Sequence, residues 1–275
     1  MGKMIILILS KIYKGLIIVT ILYFLLIINI SLAQSPDPGA TYRPLVGGAR
    51  IELQSSSGII NVCTLGLTGY ELSQDLRTAS YEITTAGHCG SVGQYIYQPR
   101  VSSSNHIATV YRVDVSNIDG LYARNTSNVN ITNKVLKCSS TGYARVAGSL
   151  TFTEAEIRLG RGEMIRVSKY GATTNETSGY IYGVYRNLSV GSVTYYYQLF
   201  VRDMRAAPGD SGAPVYEDPY AGQCVAFEPD VRAAGVIWGA TSDGVYATSI
   251  DGLYYYLSFV PLTEGGGSDK VFFTR

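Results

Sequence analysis

Between residues 58 and 249 the chain is broken into short apolar or alternating runs, with turn-forming residues between nearly all of them. The runs fall at 58–67, 80–85, 94–97, 108–115 and 121–123, then at 142–152, 163–170, 179–185, 193–201, 213–216, 233–238 and 244–249. No sustained helical heptad separates them and no internal repeat relates them. A pleated strand needs only period-two alternation, and Val, Ile, Thr and Tyr suit it. Thirty glycines serve the turns and 23 tyrosines the strands. Many short strands without intervening helices predict an all-β barrel or sandwich.

The first 33 residues are of another kind. Lys3, Lys11 and Lys14 precede an apolar stretch that begins at Gly15, runs to Ile30 and closes on Ser31-Leu32-Ala33. A positive flank, an apolar core and small residues at the end predict a secretory signal cleaved after Ala33. An uncleaved anchor over 15–33 is the competing expectation, and it is the only membrane association expected. Both export the remainder. Four cysteines, Cys63, Cys89, Cys138 and Cys224, fit export as paired residues and allow three pairings. Lys and Arg number 22 against 21 Asp and Glu, with no long basic run, which argues against a nucleic-acid partner. No HExxH or carboxylate cluster calls for a metal, and no cofactor is expected.

Chemistry concentrates in Pro208-Gly209-Asp210-Ser211-Gly212-Ala213-Pro214-Val215. A serine hydroxyl is a poor nucleophile at neutral pH and needs activating neighbours. Glycines on both sides let the backbone turn sharply here. Such a turn can aim the Gly209 and Ser211 N–H groups at one point, as an oxyanion hole requires. The same composition also makes ordinary surface turns. Upstream, Ile83-Thr84-Thr85-Ala86-Gly87-His88-Cys89-Gly90 holds one of only two histidines, the other being His106. Between the two stretches stand Asp114 and, 31 residues after His88, Asp119. The order His, Asp, Ser is one of those that triad hydrolases use.

TTAGHC and GDSGAPV resemble the two active-site motifs of the chymotrypsin-like serine peptidases. Asn61-Val62-Cys63-Thr64-Leu65-Gly66-Leu67 and Val167-Ser168-Lys169-Tyr170-Gly171-Ala172-Thr173-Thr174 are similar to segments of its bacterial, streptogrisin and α-lytic branch. The resemblance spans roughly residues 45–262. It implies two six-stranded antiparallel β-barrels, over 45–138 and 139–275, with the active site in the cleft between them. It implies a secreted, monomeric endopeptidase acting on protein or peptide through an acyl-enzyme, with Ser211 as nucleophile and His88 as base. Ile107-Ala108-Thr109-Val110 resembles the family strand that precedes the aspartate, which favours Asp119 over Asp114 as the third member. Cys63 would pair with Cys89, leaving Cys138 with Cys224.

On the substrate side, Gly235-Val236-Ile237-Trp238-Gly239 resembles the strand that pairs with a peptide substrate. Ile237 stands where a serine usually supports the aspartate. Gly239 and Gly244 would line an open specificity pocket, and Arg205, six residues before Ser211, would either sit at its base or be an exposed surface arginine. Residues 34–44 read as a short propeptide or linker, before a Leu45-Val46-Gly47-Gly48 that resembles the family's mature start. Pro44 is not a trypsin-type activation residue, so the switch that pairs a freed N-terminus with the aspartate before the nucleophile, here Asp210, is not expected. Two further readings remain: a catalytically silent binding or adhesion module, and an esterase on the same triad.

Overall fold

The computed structural model describes residues 14–23, 33–71 and 80–264. Most of the 1–33 segment, for which a signal or anchor is expected, lies outside the described residues; 14–23 are helical. Among the described residues no helix is long and apolar enough to cross a membrane.

Among the described residues, seventeen strands form two sheets. The first contains β2 (Arg50–Gln54), β3 (Ile60–Thr64), β4 (Thr68–Glu71), β5 (Tyr81–Thr85), β6 (Tyr95–Tyr97), β7 (His106–Asp114) and β8 (Gly120–Asn125), with β17 (Phe259–Pro261) at its edge. β3, at one end of the sheet, and β4, next to β17 at the other, are consecutive in the chain and separated only by Leu65-Gly66-Leu67, so the sheet curls back on itself through one kinked run. The second sheet contains β1 (Leu45–Gly47), β9 (Ile131–Leu136), β10 (Tyr143–Ser149), β11 (Ile165–Gly171), β12 (Asn175–Val190), β13 (Val193–Arg202), β14 (Pro214–Glu217), β15 (Asp230–Ala240) and β16 (Gly244–Ser249). Six of these form a ring, β15–β14–β11–β12–β13–β16 and back to β15, every pair antiparallel. The double-barrel expectation is met.

Alternation explains the interiors. Ile51 and Leu53 of β2, Ile83 of β5 and Ile96 of β6 turn into the first core, while Val167, Ile181, Leu199, Val201 and Val245 fill the second. A third cluster, including Leu67, Ile118, Tyr122, Val236, Leu253 and Phe259, draws on both sheets and welds them together. The chain ends cross over. β1 pairs with β9 in the second sheet, and β17 pairs with β4 in the first.

Among the described residues, two short α-helices interrupt the β pattern: α1 (Phe152–Gly160) and α2 (Ile250–Leu257). Each starts from a hydroxyl cap, Thr151 accepting from Glu154 N and Ser249 from Gly252 N. Such caps satisfy an otherwise orphaned donor of the first turn. Neither helix was legible as a period, because eight or nine residues hold barely two turns.

Residues 34–44 lie against the body. Tyr42 joins the first core at 9% exposure, and its N–H donates to Gln98 Oε1 at 3.0 Å. Arg43 donates to the same oxygen at 2.7 Å, and Ser35 Oγ lies 2.9 Å from the Tyr170 hydroxyl. Leu45 is fully buried and its backbone N–H donates to Asn130 O at 2.8 Å.

Candidate active site

β5 ends in a single 3-10 turn, Gly87–Cys89, which lifts His88 out of the sheet. Any side chain at Gly87 would collide with Val115, Gly120 N and Asp119, so glycine is required for this close approach. The Cys63–Cys89 disulfide anchors the turn to β3, and Asn61 Nδ2 donates to Cys89 O at 3.1 Å. The second disulfide joins Cys138 to Cys224.

Asp119 sits in the β7–β8 loop, 6% exposed. Its Oδ1 accepts from His88 N at 2.9 Å and its Oδ2 lies 2.8 Å from His88 Nδ1. On the far side of the ring, His88 Nε2 lies 2.9 Å from Ser211 Oγ. The three residues therefore make one hydrogen-bonded chain, with two members from the first sheet and one from the second. The Asp119 hydrogen bond raises the His88 pKa above its ordinary value, against the opposing effect of burial. Among the described residues, only these two His88 nitrogens reach the Asp119 carboxylate. Ile237, 2% exposed, offers it nothing and instead accepts from Gly212 N through its carbonyl at 2.7 Å.

The nucleophile loop, between β13 and β14, is gripped from both sheets. Gly209 takes φ +100° and Gly212 φ +89°, conformations that disfavour any residue with a Cβ. Thr64, at the end of β3, donates its N–H to Ser211 O at 2.8 Å and its hydroxyl to Gly209 O at 2.8 Å, while accepting from Ala172 N at 2.9 Å. Among the described residues, neither the Gly209 nor the Ser211 N–H has an acceptor. Two free donors beside Ser211 Oγ are what an oxyanion hole needs.

Asp210 is fully buried behind the loop. Its carboxylate accepts from Thr174 Oγ1 at 2.6 Å, Thr173 N at 2.8 Å, Thr174 N at 3.1 Å and Ala207 N at 3.1 Å, and it pairs with the Lys169 ammonium at 3.1 Å. Burial alone would raise its pKa; Lys169 and the hydrogen bonds outweigh that and hold it low. Lys169 is itself fully buried, and desolvation pulls its pKa down despite Asp210. An internal side chain thus supplies the cation for Asp210.

Trp238 packs between Tyr195, ring centroids 4.8 Å apart, and Tyr246, 5.5 Å apart, and donates from Nε1 to the buried Gln198 at 2.6 Å. Gly239 faces open space, with no atom nearer than 4.0 Å to a Cβ built there. Gly244 is buried in β16, where a side chain would strike the Val201 carbonyl; strand packing requires that glycine. Arg205 is exposed and lines a cleft of about 750 Å³ together with Arg202, Asp203 and Asp243. Among the described residues, no group of three or more His, Cys, Asp or Glu is gathered as a metal set.

Sequence reading brought together His88, Asp119, Ser211 and Gly209, and missed Thr64, Gln198 and the role of Lys169. Lys169 carried one signal, a charged residue on the same strand face as Val167, opposite Arg166 and Ser168 in the alternation of the strand.

No family model matches the sequence, and no curated protein matches it. Solved structures do. A Nocardiopsis protease superposes with a TM-score of 0.57 at 23% identity, covering 79% of this chain and 98% of its own. Protease A of Thermobifida fusca gives 0.56 at 23%, covering 80% and 98%, and an alpha-lytic protease homolog gives 0.55 at 17%, covering 78% and 97%. At such identities the likeness speaks for the architecture. The chain has the chymotrypsin-like two-barrel fold, in the form taken by bacterial proteases of the alpha-lytic type.

Proposed function

We propose that the chain is a secreted serine endopeptidase. The observation that carries this reading is the unbroken hydrogen-bonded chain from Asp119 through His88 to Ser211, at 2.8 and 2.9 Å. Ser211 Oγ attacks the scissile carbonyl carbon while His88 Nε2 takes the hydroxyl proton. The carbonyl oxygen becomes an oxyanion facing the Gly209 and Ser211 N–H groups. His88 then returns the proton to the leaving amine, and the acyl group stays on Ser211. Water, deprotonated by His88, attacks the ester and releases the acid, restoring the serine. Asp119 holds the ring in the tautomer with the proton on Nδ1 and stabilises the imidazolium formed in each half.

The free edge of β15 at Trp238 and Gly239 is suited to pair with the substrate backbone N-terminal to the cut. Export is supported by the N-terminal charge and apolar pattern and by the two disulfides. The protease fold neighbours support peptide hydrolysis over other acyl transfers.

The test is a fluorophosphonate probe followed by peptide mapping, with a peptide library run in parallel. The expected result is one adduct at Ser211, none in Ser211→Ala, and internal cleavage of peptides. An unlabelled Ser211 would favour a silent binding module; a labelled protein that cleaves only esters would favour an esterase.

A further inference from the structure

Asp114 is not a member of the triad, yet its carboxylate is fully engaged. Oδ1 accepts from Ser116 N at 3.0 Å, Ser116 Oγ at 3.1 Å and Asn117 N at 2.9 Å, and Oδ2 accepts from Asn117 Nδ2 at 3.0 Å. These bonds close the turn that leads directly into Ile118 and Asp119. The far side of the turn is held by the other barrel. Tyr196 N, on the long β12–β13 hairpin, donates to Asn117 O at 2.7 Å, and Thr248 Oγ1 of β16 donates to Asp119 O at 3.3 Å. Beside Tyr196, Tyr197 takes φ +56°, a strained left-handed conformation for a bulky residue. Ile118 is fully buried beside Leu253 and Leu257 of α2.

Among the described residues, Asp119 gets no hydrogen bond to its carboxylate from the second barrel. Beyond the His88 N–H and ring, its position depends on how its backbone is held, and this turn holds that backbone. We propose that Asp114 is a positioning residue for the triad, setting the turn by which the β12–β13 hairpin and β16 fix Asp119 against His88. The proposal rests on the peptidase reading above. Displacing a reacting group by an ångström can cost about 100-fold in rate, so a small relaxation of the turn is enough to be measured.

The groups that bear on the pH readout are few. His88 faces Asp119 and Ser211; Tyr195 of β13 lies in the field of Asp119, and Tyr256 of α2 in that of Asp114. His88 acts as base when neutral, so activity rises with pH through its raised pKa. Its pairing with Asp119 favours the protonated ring: that stabilisation is complete below the unfolded-state pKa and lost as pH rises through the folded one. Loosening Asp119 therefore moves the acid limb to lower pH.

The experiment compares Asp114→Ala and Asp114→Asn with the unaltered protein. Readouts are kcat per fluorophosphonate-titrated site, KM, the acid-limb midpoint of kcat/KM, the downfield proton resonance of His88 Nδ1–H, and Tm. Asp114→Ala is expected to lose about tenfold or more in kcat with KM changed less than about twofold, to shift the acid limb downward and to move the Nδ1–H resonance. Asp114→Asn keeps the Oδ1 acceptor and recovers most of the loss. Unchanged kcat and acid limb in Asp114→Ala, or a fall in Tm alone, overturns the proposal. If Asp114→Ala does not fold, Asn117→Ala, which removes one of the four bonds, gives the same shifts in smaller measure or overturns it by giving none. An unaltered protein that fails to label at Ser211 overturns the peptidase reading instead, so the two failures are distinguishable.

Discussion

Lys169 and Asp210 illustrate what one buried pair can settle. The ammonium is wholly enclosed, yet it is held by three polar partners: Asp210 Oδ2 at 3.1 Å, Asn175 O at 3.0 Å and the Thr174 hydroxyl. Removing one member of such a pair leaves the other charge uncompensated, typically at a cost of about 3–5 kcal/mol. Lys169→Met is expected to lose stability on that scale in urea unfolding. It is also expected to lose activity per folded molecule, because Asp210 anchors the backbone that aims the Gly209 and Ser211 N–H groups. Full activity in the folded variant would show that the loop holds its shape without the cation. The sequence made His88 and Ser211 legible because their motifs are contiguous. It ranked Asp119 over Asp114 only through the family strand that Ile107-Ala108-Thr109-Val110 resembles, since what separates the two carboxylates physically is which one a loop brings to His88. Thr64 was invisible for the same reason: its partner Gly209 lies 145 residues away.

At the scale of elements, strands were readable because alternation and turn residues mark them twice over, whereas α1 and α2 left only a cap each. Thr151-Phe152-Thr153-Glu154 has the spacing of a capping box, a signal that period alone does not carry. The arm at residues 34–44 shows the limit of composition. Three prolines and little apolar content read as a linker, but Tyr42 reaches the core and Gln98 receives both Tyr42 N and Arg43. A chain beginning at Leu45 is expected to lose at least ~2 kcal/mol from the Tyr42 contacts alone. It would also place a charged amine where a buried N–H now meets Asn130 O, adding to the loss. Thermal unfolding of the two forms checks this; an unchanged Tm would mean the arm is dispensable.

For the whole molecule, the two disulfides divide stability from catalysis. Cys138–Cys224 closes a separation of 86 residues and Cys63–Cys89 one of 26. Chain entropy assigns them about 4.6 and 3.5 kcal/mol, the longer loop the larger. Replacing Cys138 and Cys224 by alanine is expected to lower the unfolding midpoint more, while replacing Cys63 and Cys89 lowers kcat more, because of the two disulfides only the latter is anchored on the His88 turn. Equal effects on both quantities would contradict this division. The crossed ends carry a wider consequence. Each barrel wears a strand contributed from the opposite end of the chain, β1 in the second and β17 in the first. Neither half can loosen without unbuckling the other, so partial openings are suppressed and unfolding is expected to be all or none. For the peptidase proposed above, this architecture would leave neighbouring copies few unfolded segments to cleave.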